Sequence, residues 1–416
     1  MPPHEQGDRE IKAPPLKKKP AGNRWQTFLT LTGILLIAAN LRAPITAVGP
    51  VIKDMAEQLN LSLVLVGWVM AIPLLSFALL SALVPGVARR LGLERLLFYS
   101  LLLLGAGLLI RSAGNVPLLF TGTAFIGAAI TVGNVLMPAF IKKEFPARIG
   151  LITGIYLVAM NLVSALAAGY SIRVGTYTGT GWQGSIGIWC GFTVIAVAAW
   201  LPQICKRPSA APQPGTEAAA ERTAGGIWKS RLAWQISVFM GMQAVGFYCL
   251  AAWLPALLQD WGMSPDRSGW VFSYLQIAQL FPMLLGPIAA GKMKNQTPLV
   301  WASFILLMAG LALLLTGGAT YSILSVVFIG FALGLAFTLA MMFLVLRTRQ
   351  TREAAELSGM AQTVGYLIAA CGPPAFGGLF SLTGSWYFSL AFLALVGIVL
   401  LTTGLASAKY RFVRFQ

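Results

Sequence analysis

One arginine stands where a charge is expensive. Arg42 lies near the middle of 28–52, an otherwise largely apolar stretch. A guanidinium there remains charged and presents five N–H donors in a planar fork. At the centre of a membrane helix it costs about 2.5–3.5 kcal/mol. No acidic residue sits at that depth. All thirteen Asp and Glu, Asp54, Glu57, Glu144 and Glu356 among them, fall in tails, loops or helix ends. A guanidinium of this kind facing a cavity is a clamp for an anion or a polar solute. The plainer reading is a structural arginine on backbone carbonyls near a helix break at Pro44. The cost of the charge favours the functional reading.

The other polar groups at depth form a sparse set. Asn40 is about 200° around a regular helix from Arg42, so the two share a cavity only if Pro44 distorts the helix. Otherwise Asn40 packs against a neighbour. Further along stand Asn134, Tyr156 and Asn161, then Gln243 near Phe247 and Tyr248. Gln276 and Gln279, three apart, share a helix face, as do Gln362 and Tyr366, four apart. For each amide the competing role is an interhelical hydrogen bond worth about 0.6 kcal/mol. Arg42, Asn40, Asn134, Tyr156, Asn161, Gln243, Phe247, Gln276, Gln279, Gln362 and Tyr366 are the candidate substrate-binding residues, the aromatic ones able to stack on a planar solute. No catalytic, metal or cofactor site is expected. The one histidine, His4, lies in a polar tail, and Cys190, Cys205, Cys249 and Cys371 match no metal or redox spacing.

These residues need a membrane-embedded frame. The chain is 57% hydrophobic and only 10% charged. Its net charge of +17 does not indicate nucleic-acid binding, because the basic residues are scattered between apolar runs as topology signals are. Twelve segments are long and apolar enough to span a bilayer: 28–52, 63–88, 96–113, 117–140, 149–170, 184–203, 232–257, 268–291, 298–317, 321–345, 358–380 and 386–407. They do not alternate as barrel strands do, so an all-α membrane protein is predicted. With both termini inside, 25 of the 30 Lys and Arg fall on the cytoplasmic side, and only Lys53, Arg111, Arg173 and Arg267 fall outside. That asymmetry and an even number of spans agree. The first apolar run is too long for a signal-peptide core and is expected to stay as an uncleaved span.

The organisation expected is a basic tail over 1–27, a six-helix bundle over 28–203, a Pro- and Ala-containing cytoplasmic linker over 204–231, a second bundle over 232–407 and a tail over 408–416. The bundles read as a repeat. Gly67-Trp68-Val69 and Gly269-Trp270-Val271 are offset by 202, as are Pro85 and Pro287, and Thr153-Gly154 and Ser358-Gly359 by 205. Internal repeats are common in secondary transporters.

Two six-helix halves, a long central loop and basic inner loops resemble the major facilitator superfamily over nearly the whole chain. Its signature between spans two and three, roughly G-x-x-x-D-R-x-G-R-R, is met here by Arg90 and Gly92. Pro85 replaces the first glycine and Arg89 the aspartate. That aspartate helps latch the family's inner gate, so the latch must differ here; Arg89, Arg90, Gly92 and Arg95 are the gate candidates. More narrowly, the chain is similar to the cyanate/2-nitroimidazole transporter branch. Asn40-Leu41-Arg42-x-Pro44, Ala88-Arg89-Arg90-x-Gly92-x-Glu94-Arg95 and Gly133-Asn134-Val135-Leu136-x-Pro138 carry that similarity.

The resemblance implies two pseudo-symmetric bundles rocking about a midplane site, with spans 1, 2, 4, 5, 7, 8, 10 and 11 lining the path. It also implies cyanate- or nitroimidazole-like cargo. A monomer in the inner membrane is expected, with lipid and a small solute as partners and protons as the one candidate coupling ion. With no carboxylate at depth, facilitated diffusion, or proton symport in which the substrate itself takes the proton, is expected in preference to an Asp/Glu relay. Multidrug efflux is the competing transport reading. A membrane-embedded enzyme would need a nucleophile–base pair, metal cluster or paired carboxylates at depth, and none is present. A receptor or scaffold would bind without flux, which polar groups spread over both halves do not suggest.

Overall fold

The computed structural model describes residues 24–204, 227–349, 351–409 and 411–413. Most of the basic tail, most of the linker (Cys205 included) and parts of the C-terminal tail lie outside these residues. The described residues are helical or irregular, with no strand. Twelve helices are long and apolar enough to cross a membrane. In order they are Arg24–Thr46, Leu63–Leu80, Leu93–Arg111, Val116–Glu144, Ile149–Thr178, Trp182–Ile204, Arg231–Asp260, Pro265–Lys292, Thr297–Gly317, Ser322–Leu346, Thr351–Thr383 and Trp386–Ala408, here spans one to twelve. They form two pseudo-symmetric six-helix bundles.

Helix ends follow local chemistry. Ser62 and Asn115 cap spans two and four, accepting from the amides of Leu65 (3.3 Å) and Leu118 (2.9 Å). Span two stops at Leu80, eight residues short of expectation, and the chain resumes as a short helix, Val84–Leu91. Gly92 then turns the chain with φ of 88°, a region a side chain resists.

Span one runs through Pro44 and ends at Thr46. The Val48 amide bonds the Ile45 carbonyl at 3.2 Å, in a tighter turn than the α-helical bond to Pro44 would give. The Pro44 carbonyl instead accepts from Arg111 Nη2 at 2.9 Å, and the Ala47 carbonyl from the Ser171 hydroxyl at 2.7 Å. Arg111 is therefore not a loop charge in solvent, as its position at the end of span three suggested. It is 1% exposed and braces the break in span one. Beyond the break, Gly49–Val51 and the short helix Ile52–Gln58 cross to span seven.

The halves meet along two seams, span two on span eleven and span five on span eight. Both are tight at the end of the bundle bearing the one–two and seven–eight hairpins. A β-carbon on Gly67 would stand 3.0 Å from the Pro373 carbonyl oxygen and 2.8 Å from Pro374 Cα, and one on Gly269 would stand 2.7 Å from the Ala168 carbonyl oxygen. A β-carbon on Gly49 would overlap the Ala251 carbonyl oxygen of span seven. Ser273 donates to the Ala165 carbonyl at 2.6 Å, and Gln276 bonds Ser164. Ion pairs cross the mouth, Arg173 to Asp266 at 2.9 Å and Lys53 to Asp260. Toward the opposite end the seams part. β-Carbons on Gly150, Gly154 and Gly359 would meet nothing within 4 Å, and Leu151 is 61% exposed. The halves thus close at the hairpin end and splay at the end bearing the termini.

At that splayed end each half is tied within itself by equivalent residues. Lys143, closing span four, pairs with Glu94 at 2.5 Å. Arg347, closing span ten, bonds the Gln296 side chain and the carbonyls of Ser407 and Ala408, both at 2.7 Å. A buried guanidinium thus caps the final turn of span twelve, where carbonyls lack helical partners. Arg347→Met is expected to cost about 3 kcal/mol, since buried acceptors lose a charged donor. A lowered apparent melting temperature in detergent, larger than for an exposed control such as Arg90→Met, checks this.

Candidate substrate site

Residues 43–52 of span one and its continuation are all buried, whereas Arg42 is half-exposed. In mid-bundle, that exposure marks open space between the halves. Its Nη1 donates to Asn161 Oδ1 of span five at 2.6 Å. Its guanidinium carbon lies 4.2 Å from the centre of the Phe247 ring of span seven. Arg42 therefore bridges the two halves, held by an amide from one and a ring from the other. A charge-assisted hydrogen bond of about 1.5–3 kcal/mol and a cation–π contact of about 0.5–2 kcal/mol offset the charge's partial burial without a counter-ion. Asn161 is itself oriented, its Nδ2 donating to the Leu157 carbonyl at 2.9 Å, so its oxygen faces the guanidinium. The bond to Asn161 is the one hydrogen bond that the Arg42 side chain makes among the described residues. None of its nitrogens is both buried and unpartnered, so its remaining donors face the open space.

Aromatic rings enclose that space. Phe77 of span two stacks on Tyr366 of span eleven with centroids 4.9 Å apart at 21°, joining the halves from the other side. Tyr248 meets Phe247 edge-on at 5.1 Å and 85°. Tyr248 and Tyr366 both lie within electrostatic reach of the guanidinium. A planar solute between such rings presents its faces to π-systems and its rim to Arg42.

The structure brings Arg42, Asn161, Phe247 and Tyr366 together, with Gln362 one turn from Tyr366 on the same face. Gln362 is half-buried and donates to Ser358 Oγ at 2.9 Å. Gln243 stands one turn from Phe247 on its face and is 6% exposed. Asn134 is half-exposed, its amide donating to the Ile130 carbonyl at 3.2 Å, while Tyr156 and Gln279 are each 4% exposed.

Two expected site residues are placed elsewhere. Asn40 is fully buried against span six. It accepts from the Thr193 hydroxyl at 2.8 Å and donates to the carbonyls of Leu36 (2.8 Å) and Phe192 (3.4 Å). The helix stays regular as far as Thr46, so the 200° separation from Arg42 holds. Gln276 is consumed by the span five–eight seam, its oxygen accepting from the Ser164 hydroxyl and its nitrogen donating to the Ser164 carbonyl at 3.3 Å. Asn40→Ala should cost about 0.6–1.7 kcal/mol of stability while leaving substrate KM unchanged; a raised KM at unchanged melting temperature would return Asn40 to the site. Among the gate candidates, Arg89, Arg90 and Arg95 are exposed at the splayed end, and Gly92 supplies the turn between them.

Phe77 and Tyr248 are absent from the sequence-based set. Phe77 has no polar atom to distinguish it in an apolar span. Tyr248, next to Phe247, offered the signal of a mid-span phenol.

Two six-helix halves, closed at one end and parted at the other around a mid-bundle arginine, have the form of a membrane transporter. The profile of the Major Facilitator Superfamily matches residues 31–373. An uncharacterized transporter, YycB, of Bacillus subtilis is 38% identical over 95% of this chain and 97% of its own. The 2-nitroimidazole transporter of Escherichia coli is 36% identical over 93% and 97%, and its cyanate transport protein CynX 25% identical over 91% and 97%. Among solved structures, a D-xylose–proton symporter superposes with a TM-score of 0.74 at 15% identity, covering 92% of this chain and 98% of its own. The chain belongs to the Major Facilitator Superfamily, in the branch of the cyanate and 2-nitroimidazole transporters. It is a multi-pass transporter of a small molecule, not an enzyme.

Proposed function

We propose that the protein carries a small planar anion or electron-rich heterocycle, of cyanate or nitroimidazole character, across the inner membrane by alternating access, with both termini in the cytoplasm. The observation carrying this reading is the uncompensated Arg42 guanidinium, fixed by Asn161 and Phe247 with donors left for a solute. The aromatic enclosure suits flat solutes, and the names of the two Escherichia coli relatives point to the same chemistry. The basic loops, gathered at the splayed end, support a cytoplasmic location for that end. Uptake of cyanate, nitrate, 2-nitroimidazole and a cationic dye into proteoliposomes, for the wild type and Arg42→Ala, tests it. Saturable flux of an anion or the azole that depends on Arg42 is expected. Dye export without any such flux would replace this reading with a multidrug carrier.

A further inference from the structure

Arg42 adds one positive charge to the space between the halves, and no neighbour of it among the described residues cancels that charge. Its neighbours are an amide, Asn161, a hydrocarbon ring, Phe247, and two phenols, Tyr248 and Tyr366. Phenols are neutral below about pH 10. The thirteen carboxylates lie in tails, the linker or at helix ends. Several of these are paired with cations there: Glu94 with Lys143, Asp260 with Lys53 and Asp266 with Arg173. The single histidine is His4. A carrier with an acid in its path can take up a proton as it takes up an anion and so balance its charge. This path has no side chain at depth to do so.

From this we infer that the protein moves its substrate as net negative charge, so that the membrane potential itself drives transport and expels the anion from the negative side. The inference rests on the anion reading of the Arg42 site. With a monoanion bound, guanidinium and solute sum to zero, and the loaded carrier reorients without moving charge. The empty carrier returns with one positive charge. One full cycle therefore carries one negative charge across, and the field acts on the empty return. Where the interior is negative, the empty site rests facing inward, is loaded there, and discharges outside. A potential of 100 mV then supports roughly a fiftyfold gradient of a monoanion. Exchange of one anion for another omits the empty return and is indifferent to the potential.

Proteoliposomes holding radiolabelled cyanate, nitrate or benzoate, with valinomycin and a potassium gradient, test this. Protein-free vesicles supply the leak. A hundredfold potassium gradient, interior negative, should drive Arg42-dependent efflux toward about a hundredfold anion gradient, and reversing the potassium gradient should reverse the flux. A pH gradient at zero potential should produce no accumulation. Anion–anion exchange at saturation should proceed at the same rate with and without the potential. Arg42-dependent flux that ignores the potential and follows the pH gradient would overturn the inference and leave the proposed function standing, since the solute would then move with a proton. Absence of Arg42-dependent flux for all three anions would overturn the inference, and its absence for 2-nitroimidazole as well would overturn the proposed function.

Discussion

Arg42→Ala is expected to lower anion flux at least a hundredfold while the protein still folds and inserts. Removing one partner of a desolvated charge pair typically costs about 2–5 kcal/mol, or roughly thirty- to several-thousandfold in affinity. Here the guanidinium is the cation at mid-bundle, between Asn161 of one half and Phe247 of the other. Stability should behave differently. Truncation removes a charge from mid-membrane and frees an amide whose nitrogen keeps its bond to Leu157, so the apparent melting temperature should hold or rise. Arg42→Lys should recover only part of the flux. A compact ammonium cannot lie flat on Phe247, bond Asn161 and still present a donor pair to the solute. Flux in proteoliposomes alongside melting in detergent separates the roles. Parallel loss of both would identify Arg42 as a structural brace.

The second large effect is expected from Gly49→Val. No side chain fits between Gly49 and the Ala251 carbonyl, and both residues are buried. Overpacking of this kind costs about 1–3 kcal/mol, and all of it falls on the conformation in which the hairpin end is shut. The balance between the two access states should shift roughly 5- to 150-fold toward opening at that end. Gly67→Val and Gly269→Val should act in the same direction through the two seams. In a background without the four native cysteines, Ser164→Cys reports the shift, because Ser164 is fully buried when the seam is closed. A membrane-impermeant thiol reagent on the hairpin side should label it at least tenfold faster with Gly49→Val. Unchanged labelling would mean that the closed end absorbs the extra volume.

The frame was readable from sequence because lipid leaves few options. Apolar runs of sufficient length must be helices, and basic residues sort by side. The glycines at the 202-residue offset were visible as a repeat, but their task was not, since it depends on Pro373 and Ala168 arriving from the opposite half. Arg42 stood out because charge at depth is costly wherever it points. Asn40 and Gln276 looked equally eligible, yet an amide in a membrane protein is satisfied by whichever neighbour folding supplies. For Asn40 that was Thr193; for Gln276 it was Ser164. Arg111 lay close enough to a loop to pass for a topology signal; the end of span one beyond Thr46 leaves the Pro44 carbonyl for it.

The two glycine seams also share a symmetry. Gly67 of the first half meets Pro373 of the second, and Gly269 of the second meets Ala168 of the first. The glycines are 202 apart and their partners 205, so the contacts are reciprocal: a position in one copy touches the counterpart of its partner in the other. Reciprocity of this kind is the mark of an isologous interface between identical subunits. The closing surface therefore has the form of a dimer contact, with each six-helix half standing where a subunit would.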